Sequence, residues 1–447
     1  MVWVLSSVCA SAADPATVVP GMRRRIVARA DVEGKLLFNA DGSGVRRRSL
    51  RLSGRLEYLE TVLRVDDGHL AQTLRDVEHS TASLVVGKWT SSPEFSQRGV
   101  PLVARWGGAA VQIYSARSPL SSRDLDVVAL QVDPLALDRL IPVGRRTKLA
   151  QSNPEGTWTV AEGVGAALLG WEVCSHQTLK CKVVRRDTER GVVLIEISGD
   201  LLGAVDGSTS EAKLRGKLNY DPRLGQCVWA DVLIEEKRAI GHVAPGFEVK
   251  ARIRVQAVPQ DPIEDDQLRS HLAAIPSAPQ ATDLYLAFAS RFQGFEIMHD
   301  RSWKLMVDGP SRTIFRLIHD GDLIAQANFS RIRSTERPTL QQFQQEVKRA
   351  LGDSFERFVA ASEDDRSDGT RVYRVIVVGA VESLPIQWMY CHFRNGHGAV
   401  TAVISIDARL VEKHAGFDER VLASLRVTPL PTPQQAKADE DTSRATR

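Results

Sequence analysis

Residues 249–257 read VKARIRVQA, and this stretch decides the fold of the first half of the chain. Apolar side chains at Val249, Ala251, Ile253 and Val255 alternate with charged or polar ones. A period of two is typical of a strand with one dry and one solvated face, as in antiparallel sheets. The stretch therefore predicts a long, half-buried antiparallel strand.

The same period of two extends through the chain before this strand. It recurs at residues 50–58, and segments 214–220 and 227–234 flank a Pro- and Gly-containing turn at 221–225 that predicts a hairpin. About ten strands can be placed before residue 258 in this way. Only short helices are expected there, at 159–171 and 135–140. We therefore predict that residues 13–258 form a mainly antiparallel β region, a curved sheet or half-barrel.

The composition changes after residue 258. Prolines interrupt an acidic and then Ala- and Ser-rich stretch at 259–283, which predicts a linker that contains a short helix at 266–273. Residues 284–427 regain a hydrophobic pattern and predict a second domain. Residues 428–447 hold Pro, Thr and charged residues without an aromatic, so we expect a disordered tail.

The second domain mixes strand and helix periods. Strands are predicted within 287–298 and 314–331, followed by a helix that Thr339 caps with Gln342. The apolar residues of that helix recur at spacings of three and four, as one buried face does: Leu340, Phe343, Val347, Leu351 and Phe355. Three further strands and a helix at 417–425 complete an α+β fold, an antiparallel sheet covered by helices.

The charge of the chain argues against a nucleic-acid partner and does not distinguish among other partners. Among the 447 residues, Lys and Arg number 58 and Asp and Glu 55, which gives a net charge of +3. Arginine triplets stand at 23–25 and 46–48. A nucleic-acid-binding protein usually has a basic stripe with aromatic or motif support, which neither triplet has. We expect no nucleic-acid partner and assign the triplets to solvated strand ends.

The first residues resemble a secretory signal. Residues 1–12 are apolar and end in small residues, which places a cleavage site before Ala13. A positively charged start is missing and the apolar run is short, so the alternative is an ordinary buried strand. The interpretation we follow is a signal peptide, and hence a periplasmic or secreted protein.

Four cysteines follow the predicted cleavage site. Cys174 and Cys181 lie seven residues apart, so that a turn between them would allow a disulfide. Together with His176 and Cys227 they would alternatively supply zinc ligands, and the third alternative is buried free thiols. The sequence leaves the three open, and we expect no metal or other cofactor.

The C-terminal unit resembles the PsbP and Mog-type α/β sandwich. The resemblance rests on Phe295-Glu296-Ile297 followed by Trp303, on the helix from Leu340 to Phe358, on the three-strand meander and on the last helix. It covers about 140 residues, in the size range of one domain, and lacks the family's usual proline just before the tryptophan. It implies a module that binds proteins, often at a membrane surface, without catalysing a reaction.

The N-terminal unit is similar to LolA-like envelope proteins, in which a half-barrel curls around an apolar cavity. The similarity rests on the approach from Leu140 to Trp158, the helix at 160–171, and strands that end in glycine. It implies that inward aromatic residues line a lipid or peptide groove. The residues we assign to such a ligand site are Trp229, Trp171 and Trp158.

Catalytic motifs are missing from the chain. It has no Gly-x-Ser-x-Gly, no His-Glu-x-x-His and no phosphate loop. His392 and His397 flank a predicted hairpin turn, with Asp407 at the end of the next strand, and would be the acid/base pair if the protein were an enzyme.

These observations together predict an exported, non-catalytic binding protein of a bacterial cell envelope. It would hold an apolar small molecule or a partner protein, with the concave sheet and the C-terminal domain as contacts and with peripheral membrane contact as a further option. The alternatives are an enzyme of unrecognised type that uses His392 and His397, or a purely structural scaffold.

Overall fold

The computed structural model describes residues 18–40, 44–129, 131–151, 154–332 and 337–430. The predicted signal peptide at 1–12 lies outside these residues, as does most of the predicted tail at 428–447. No helix in the described ranges is both long and apolar enough to cross a membrane.

Antiparallel strands dominate the first half of the chain. They are β1 (Arg23–Ala40), β2 (Gly44–Asp66), β3 (His69–Val86), β4 (Trp89–Ser91), β5 (Leu102–Trp106), β6 (Val111–Ser115), β7 (Leu120–Ser121), β8 (Thr157–Thr159), β9 (Val173–Gln177), β10 (Lys180–Asp187), β11 (Val192–Val205), β12 (Ser208–Asp221), β13 (Gln226–Arg238) and β14 (Gly246–Gln260). Four short helices lie among them: α1 (Ser122–Val128), α2 (Pro134–Arg139), α3 (Val143–Leu149) and α4 (Val164–Leu169). The predicted hairpin at 221–225 is confirmed between β12 and β13.

All of these strands except β7 form one open, 13-stranded sheet. Its main path runs β6-β5-β3-β2-β1-β14-β13-β12-β11-β10-β8, with β4 beside β3 and β9 beside β11. β1 pairs with β14 from Arg23 to Leu37, so the first and last long strands of this half are neighbours. The prediction of a mainly antiparallel region is therefore confirmed, and the sheet ends at free edges on β6 and β8.

One face of this sheet, which we call the inner face, carries the first hydrophobic core. It is formed by alternate residues of the long strands, such as Ile26, Leu56 and Ile253, against α2 and α4. Asp133 fixes the start of α2, because its side chain accepts a hydrogen bond from the Leu135 backbone N–H.

The described residues of the second half of the chain contain ten strands and three α-helices. They are α5 (Asp265–Ala274), β15 (Leu286–Ala289), β16 (Phe295–His299), β17 (Trp303–Asp308), β18 (Thr313–His319), β19 (Asp322–Ile332), α6 (Leu340–Leu351), β20 (Phe355–Asp365), β21 (Arg371–Val381), β22 (Leu384–Asn395), β23 (Gly398–Asp407), α7 (Phe417–Ala423) and β24 (Arg426–Val427). Seven of the strands form an antiparallel sheet in the order β17-β18-β19-β23-β22-β21-β20.

Both faces of this sheet are packed against other elements. One face packs against a helix, and the other packs against a helix together with a small sheet. α6, with the predicted capping box of Thr339 and Gln342, packs Phe343 and Val347 against β21. The opposite face packs against α7 and a small sheet of β24, β16, β15 and β7. The α+β class is consistent with this architecture, but a strand layer shares the covering that we expected from helices alone.

The main helix is shorter than predicted. It ends at Leu351 because Gly352 adopts a φ of 53°, outside the helical range, and a 3₁₀ turn follows. Residues 355–365 then form the edge strand β20 instead of the end of a helix or a loop. Phe355 still packs against the helix, since Lys348 Nζ lies 5.2 Å from its ring centroid.

The two halves are in contact at several points. β7 pairs in parallel with β15, and Ile275, within the predicted linker, is buried with Leu63 and Tyr114. The short helix predicted in the linker is confirmed as α5. The domain boundaries themselves stay a prediction.

Candidate functional site

Trp158 and Trp171 do not line an open groove. Both are buried in the first core, where Trp158 Nε1 donates to the Leu140 carbonyl at 2.7 Å and Trp171 Nε1 donates to Glu236 Oε1 at 3.2 Å. With both rings packed and both N–H groups used, these residues stabilise the covering of the inner face.

Trp229 lies on the opposite side of the sheet from the place we predicted. Its neighbours Ala230, Val232 and Ile234 alternate toward the core, so the period of two turns Trp229 to the outer face. There it borders a shallow hollow of about 520 Å³ with Asn219 and Gln256. Trp229 is thus on the opposite face of the sheet from the two buried tryptophans, and the three form no common ligand site.

Cys174 and Cys181 are free thiols in the structure. The chain does not turn back between them: β9 and β10 lie one after the other along β11, with Cys174 beside Gly203 and Cys181 beside Ile197. Six residues of strand span roughly 20 Å, and a disulfide needs Cα atoms within about 7 Å. The structure therefore does not form the predicted bridge.

The described residues include no group of three or more His, Cys, Asp and Glu side chains placed to hold a metal ion. Burial raises the pKa of both Cys181 and Cys227 to about 12, so these thiols are protonated at neutral pH.

The two histidines of the predicted hairpin are not brought together. His392 is buried on β22 opposite Thr401, whereas His397 lies exposed in the turn to β23. Asp407 pairs with Ile386 at the far end of β22 and is hydrogen-bonded to Arg409. The geometry therefore gives no acid/base pair from these three residues.

A half-buried apolar area lies at the far end of the large sheet. Along β2, inner-face residues are fully buried from Leu56 onward but only half-buried at Leu50 and Leu52. We call the half-buried inner-face residues beyond the helices the distal face: Leu36, Phe38, Leu50, Leu52, Leu84, Val86, Trp89 and Phe247. The strand register confirms that they share one side of the sheet.

The distal face exists because the strands are much longer than the helices that cover them. β1, β2 and β3 are 18, 23 and 18 residues long, whereas helices α1 to α4 have six or seven residues each. A 20-residue strand spans about 65 Å, and a seven-residue helix only about 10 Å. The short helices cover the inner face at one end and leave the other end uncovered.

Arginines border the distal face. Arg46 and Arg48 stand opposite Phe38 and Leu36 on the same side of the sheet. The Arg48 guanidinium carbon lies 5.6 Å from the centroid of the Phe38 ring, and that of Arg238 lies 4.5 Å from the Phe247 ring.

Carboxylates are scarce on this side. Among the described residues of the strands that form the distal face and of β13 beside them, two carboxylates lie on the inner side, and both are buried and paired: Glu60 with Arg24 and Arg75, well away from the distal face, and Glu236 with Arg238 at 2.8 Å. The distal face is thus apolar with a basic border. The alternating pattern of the distal face is visible in the sequence. That pattern does not predict how far the covering helices extend along the strands.

Comparison with known proteins gives no family. No family model matches the chain, and no curated protein matches it. Among solved structures, the chain is similar to the cyanobacterial PsbP protein of Synechocystis sp. PCC 6803, with 18% identity over 35% of this chain and 99% of that one and a TM-score of 0.27.

Two further similarities cover about half of the chain. The Tle4–Tli4 complex matches at 10% identity, over 49% of this chain and 74% of that one, with a TM-score of 0.21. The immunity protein TplEi of the type VI secretion system of Pseudomonas aeruginosa matches at 9% identity, over 52% of this chain and 95% of that one, with a TM-score of 0.22. At such TM-scores none of these similarities bears on function, and the LolA-like resemblance receives no support.

Proposed function

We propose that this chain is a non-catalytic binding protein that holds an acidic partner protein against its distal face. The observation that carries the proposal is the half-buried apolar area at the end of β1, β2 and β3, with arginines beside it on the same side of the sheet. Exposed contiguous apolar areas on folded proteins commonly mark interaction sites.

The shape of the distal face favours a protein over a small molecule. Small-molecule sites are concave and enclose most of the ligand. At Leu50 the distal face borders a hollow of about 890 Å³ beside Gly34 and Val249. Its other residues form a strip across several strands, which matches the apolar centre and polar border of a protein interface.

The charge of the distal face favours an acidic partner. Arg46, Arg48 and Arg238 lie on its side of the sheet, and the carboxylate of Glu236 is already paired. Acidic side chains around an apolar centre would complement this surface and steer association. We expect the encounter to take place in the periplasm or outside the cell, the location that residues 1–12 predict.

Site-specific photo-crosslinking tests the proposal. Leu52, on the distal face, and its neighbour Ser53, on the outer face, are each replaced by p-benzoylphenylalanine in the cells of origin. We expect the Leu52 variant to give one adduct with an acidic protein and the Ser53 variant to give none, because adjacent strand residues point to opposite sides.

The same partner, once purified, should bind the wild-type protein at least tenfold more tightly than the Arg46→Glu/Arg48→Glu double variant. Lys413→Glu, an exposed change in the other half of the chain, should leave the affinity unchanged. Adducts with lipid, with nucleic acid or with a second copy of the chain, or equal adducts from both positions, would contradict the proposal.

A further inference from the structure

A second concavity lies beside α6 in the C-terminal half, with a volume of about 880 Å³. α6 covers β21 through Phe343 and Val347 but does not reach across the sheet. Beside the helix, Tyr390 and His392 of β22 and Thr401 of β23 line the uncovered part of that face. We call this concavity the α6 groove, and its size is within the range of small-molecule sites.

His392 places a buried polar atom at this groove. The side chain is 3% exposed, and its ring lies 5.6 Å from the Phe343 centroid and 6.0 Å from that of Tyr373. Nε2 of His392 has no hydrogen-bond partner in the structure. An unsatisfied buried polar group costs about 1–3 kcal/mol, so an atom from a bound molecule would relieve a cost that the fold now carries.

The charged residues of the α6 groove are mostly arginines. Among the described residues that line it, Arg337, Arg349 and Arg394 are basic and Glu346 is acidic. The N–H donors of three guanidinium groups match the several oxygens of a phosphate group better than the two oxygens of a single carboxylate. The planar guanidinium fork also suits the oxygens of phosphate.

We propose that the α6 groove binds a small phosphate-bearing molecule, with arginines on its phosphate oxygens and His392 Nε2 as a hydrogen-bonding partner. The site is separate from the distal face, which lies in the other half of the chain. Tyr390, half-buried at the groove, offers a flat surface for the remainder of the ligand.

Pyrophosphate is the probe for this site, with citrate as a carboxylate of comparable charge. In calorimetric titrations of the full chain we expect saturable pyrophosphate binding that the Arg349→Ala/Arg394→Ala double variant weakens at least tenfold. Arg420→Ala, on α7 at the opposite face of the sheet, removes the same charge and should leave the affinity unchanged. Citrate should bind at least tenfold more weakly than pyrophosphate.

His392 gives an independent readout by NMR. Burial, with Arg394 as a second cause, lowers the pKa of His392 to about 4 in the free protein. A phosphate beside Nε2 favours the protonated ring, so the pKa should rise toward its ordinary value when pyrophosphate binds. His392→Phe keeps the ring packing and should weaken binding severalfold while the protein stays folded by circular dichroism.

The proposal fails if pyrophosphate does not saturate the protein, or if the double arginine variant or citrate matches the wild-type affinity for pyrophosphate. An unchanged pKa of His392 in the saturated complex would overturn the role given to its ring nitrogen. Because neither experiment involves the distal face, these results do not depend on the proposed protein partner.

Discussion

Glu60 is a fully buried charge on the inner face that three side chains contact. Its carboxylate accepts hydrogen bonds from Arg24 Nε at 2.6 Å, Arg75 Nε at 3.0 Å and Thr73 Oγ1 at 3.1 Å. Arg75 in turn donates two hydrogen bonds to Asp133, at 2.7 and 2.8 Å. Asp133 caps α2, so this chain of ion pairs fixes the helix to the sheet.

Replacing Glu60 with Gln should therefore be costly. The change leaves Arg24 and Arg75 buried without their shared counter-charge, and breaking a buried pair typically costs about 3–5 kcal/mol. We expect a loss of that size in the free energy of unfolding, measured by urea denaturation. Glu235→Gln is the control: Glu235 is exposed, 3.7 Å from Arg215 and 3.6 Å from Lys250, and its loss should cost less than about 1 kcal/mol.

The lowered pKa of Glu60 also predicts how the free energy of unfolding changes with pH. Burial alone would raise the pKa of Glu60, but Arg24 and Arg75 outweigh it and hold the pKa below its usual 4.5. A carboxylate whose pKa is lowered by folding stabilises the protein above its unfolded pKa and loses that effect as the pH falls. The wild-type protein should lose stability below about pH 4.5 more steeply than Glu60→Gln, and parallel curves for the two would contradict the assignment.

At the scale of elements, Gly203 decides how closely the segment from α4 to β9 approaches β11. A Cβ atom built at Gly203 would lie 2.1 Å from the Val173 carbonyl oxygen and 2.7 Å from the Trp171 ring. Both neighbours are fixed, one by strand pairing and the other by its burial in the core. The close contact between these elements thus requires a residue without a side chain.

Gly203→Ala should lower the free energy of unfolding by about 1–3 kcal/mol, because the added methyl group overpacks the contact. Gly54→Ala on β2 is the matched control, since its Cβ would meet no atom closer than Thr81 O at 3.7 Å. We expect that variant to stay within about 1 kcal/mol of the wild type. Equal effects of the two changes in thermal and urea unfolding would show that the close approach does not limit stability.

At the scale of the whole molecule, Lys304 links the two halves. Its ammonium lies 2.6 Å from Asp206 and 3.2 Å from Glu172, both in the first half of the chain. Burial alone would lower the pKa of Lys304, but these two carboxylates outweigh it and raise the pKa. Lys304 therefore stays charged and holds β17 against the turn between β11 and β12.

Lys304→Met should weaken this link by about 1–2 kcal/mol. We expect faster amide exchange at β17 and at residues 205–208, and a double-mutant cycle with Asp206→Asn should show coupling above about 0.5 kcal/mol. Lys413→Met, an exposed change in the same half, is the control. Additive effects in the cycle would mean that the pair contributes nothing to the contact between the halves.

The local patterns predicted much of the secondary structure. Residues 249–257 form part of β14, Thr339 and Gln342 form the expected cap, and the turn at 221–225 joins two strands. These features depend on side-chain period and on hydrogen bonds between residues near each other in sequence. The spacing of Phe355 from the other apolar residues of α6 predicts that it belongs to the helix. This prediction is wrong because Gly352 ends the helix before it.

Only part of the distal face could be predicted from the sequence. The alternation at residues 50–58 placed Leu50 and Leu52 on the same side as Leu56, as the structure confirms. It gave them equal burial, whereas the structure covers Leu56 and leaves the other two half-exposed. Residue type alone predicts the three tryptophans as ligand contacts, and residue type does not distinguish the inner face from the outer face.

What the sequence determined by itself is the antiparallel β character of the chain, the capped helix α6 and the alternation of faces, because each follows from short-range periodicity. Only the tertiary structure decided which part of the inner face is covered, that Cys174 and Cys181 lie apart, and where His392 lies. These depend on how far the helices extend over strands that are distant in sequence, and a local pattern carries no information about that distance.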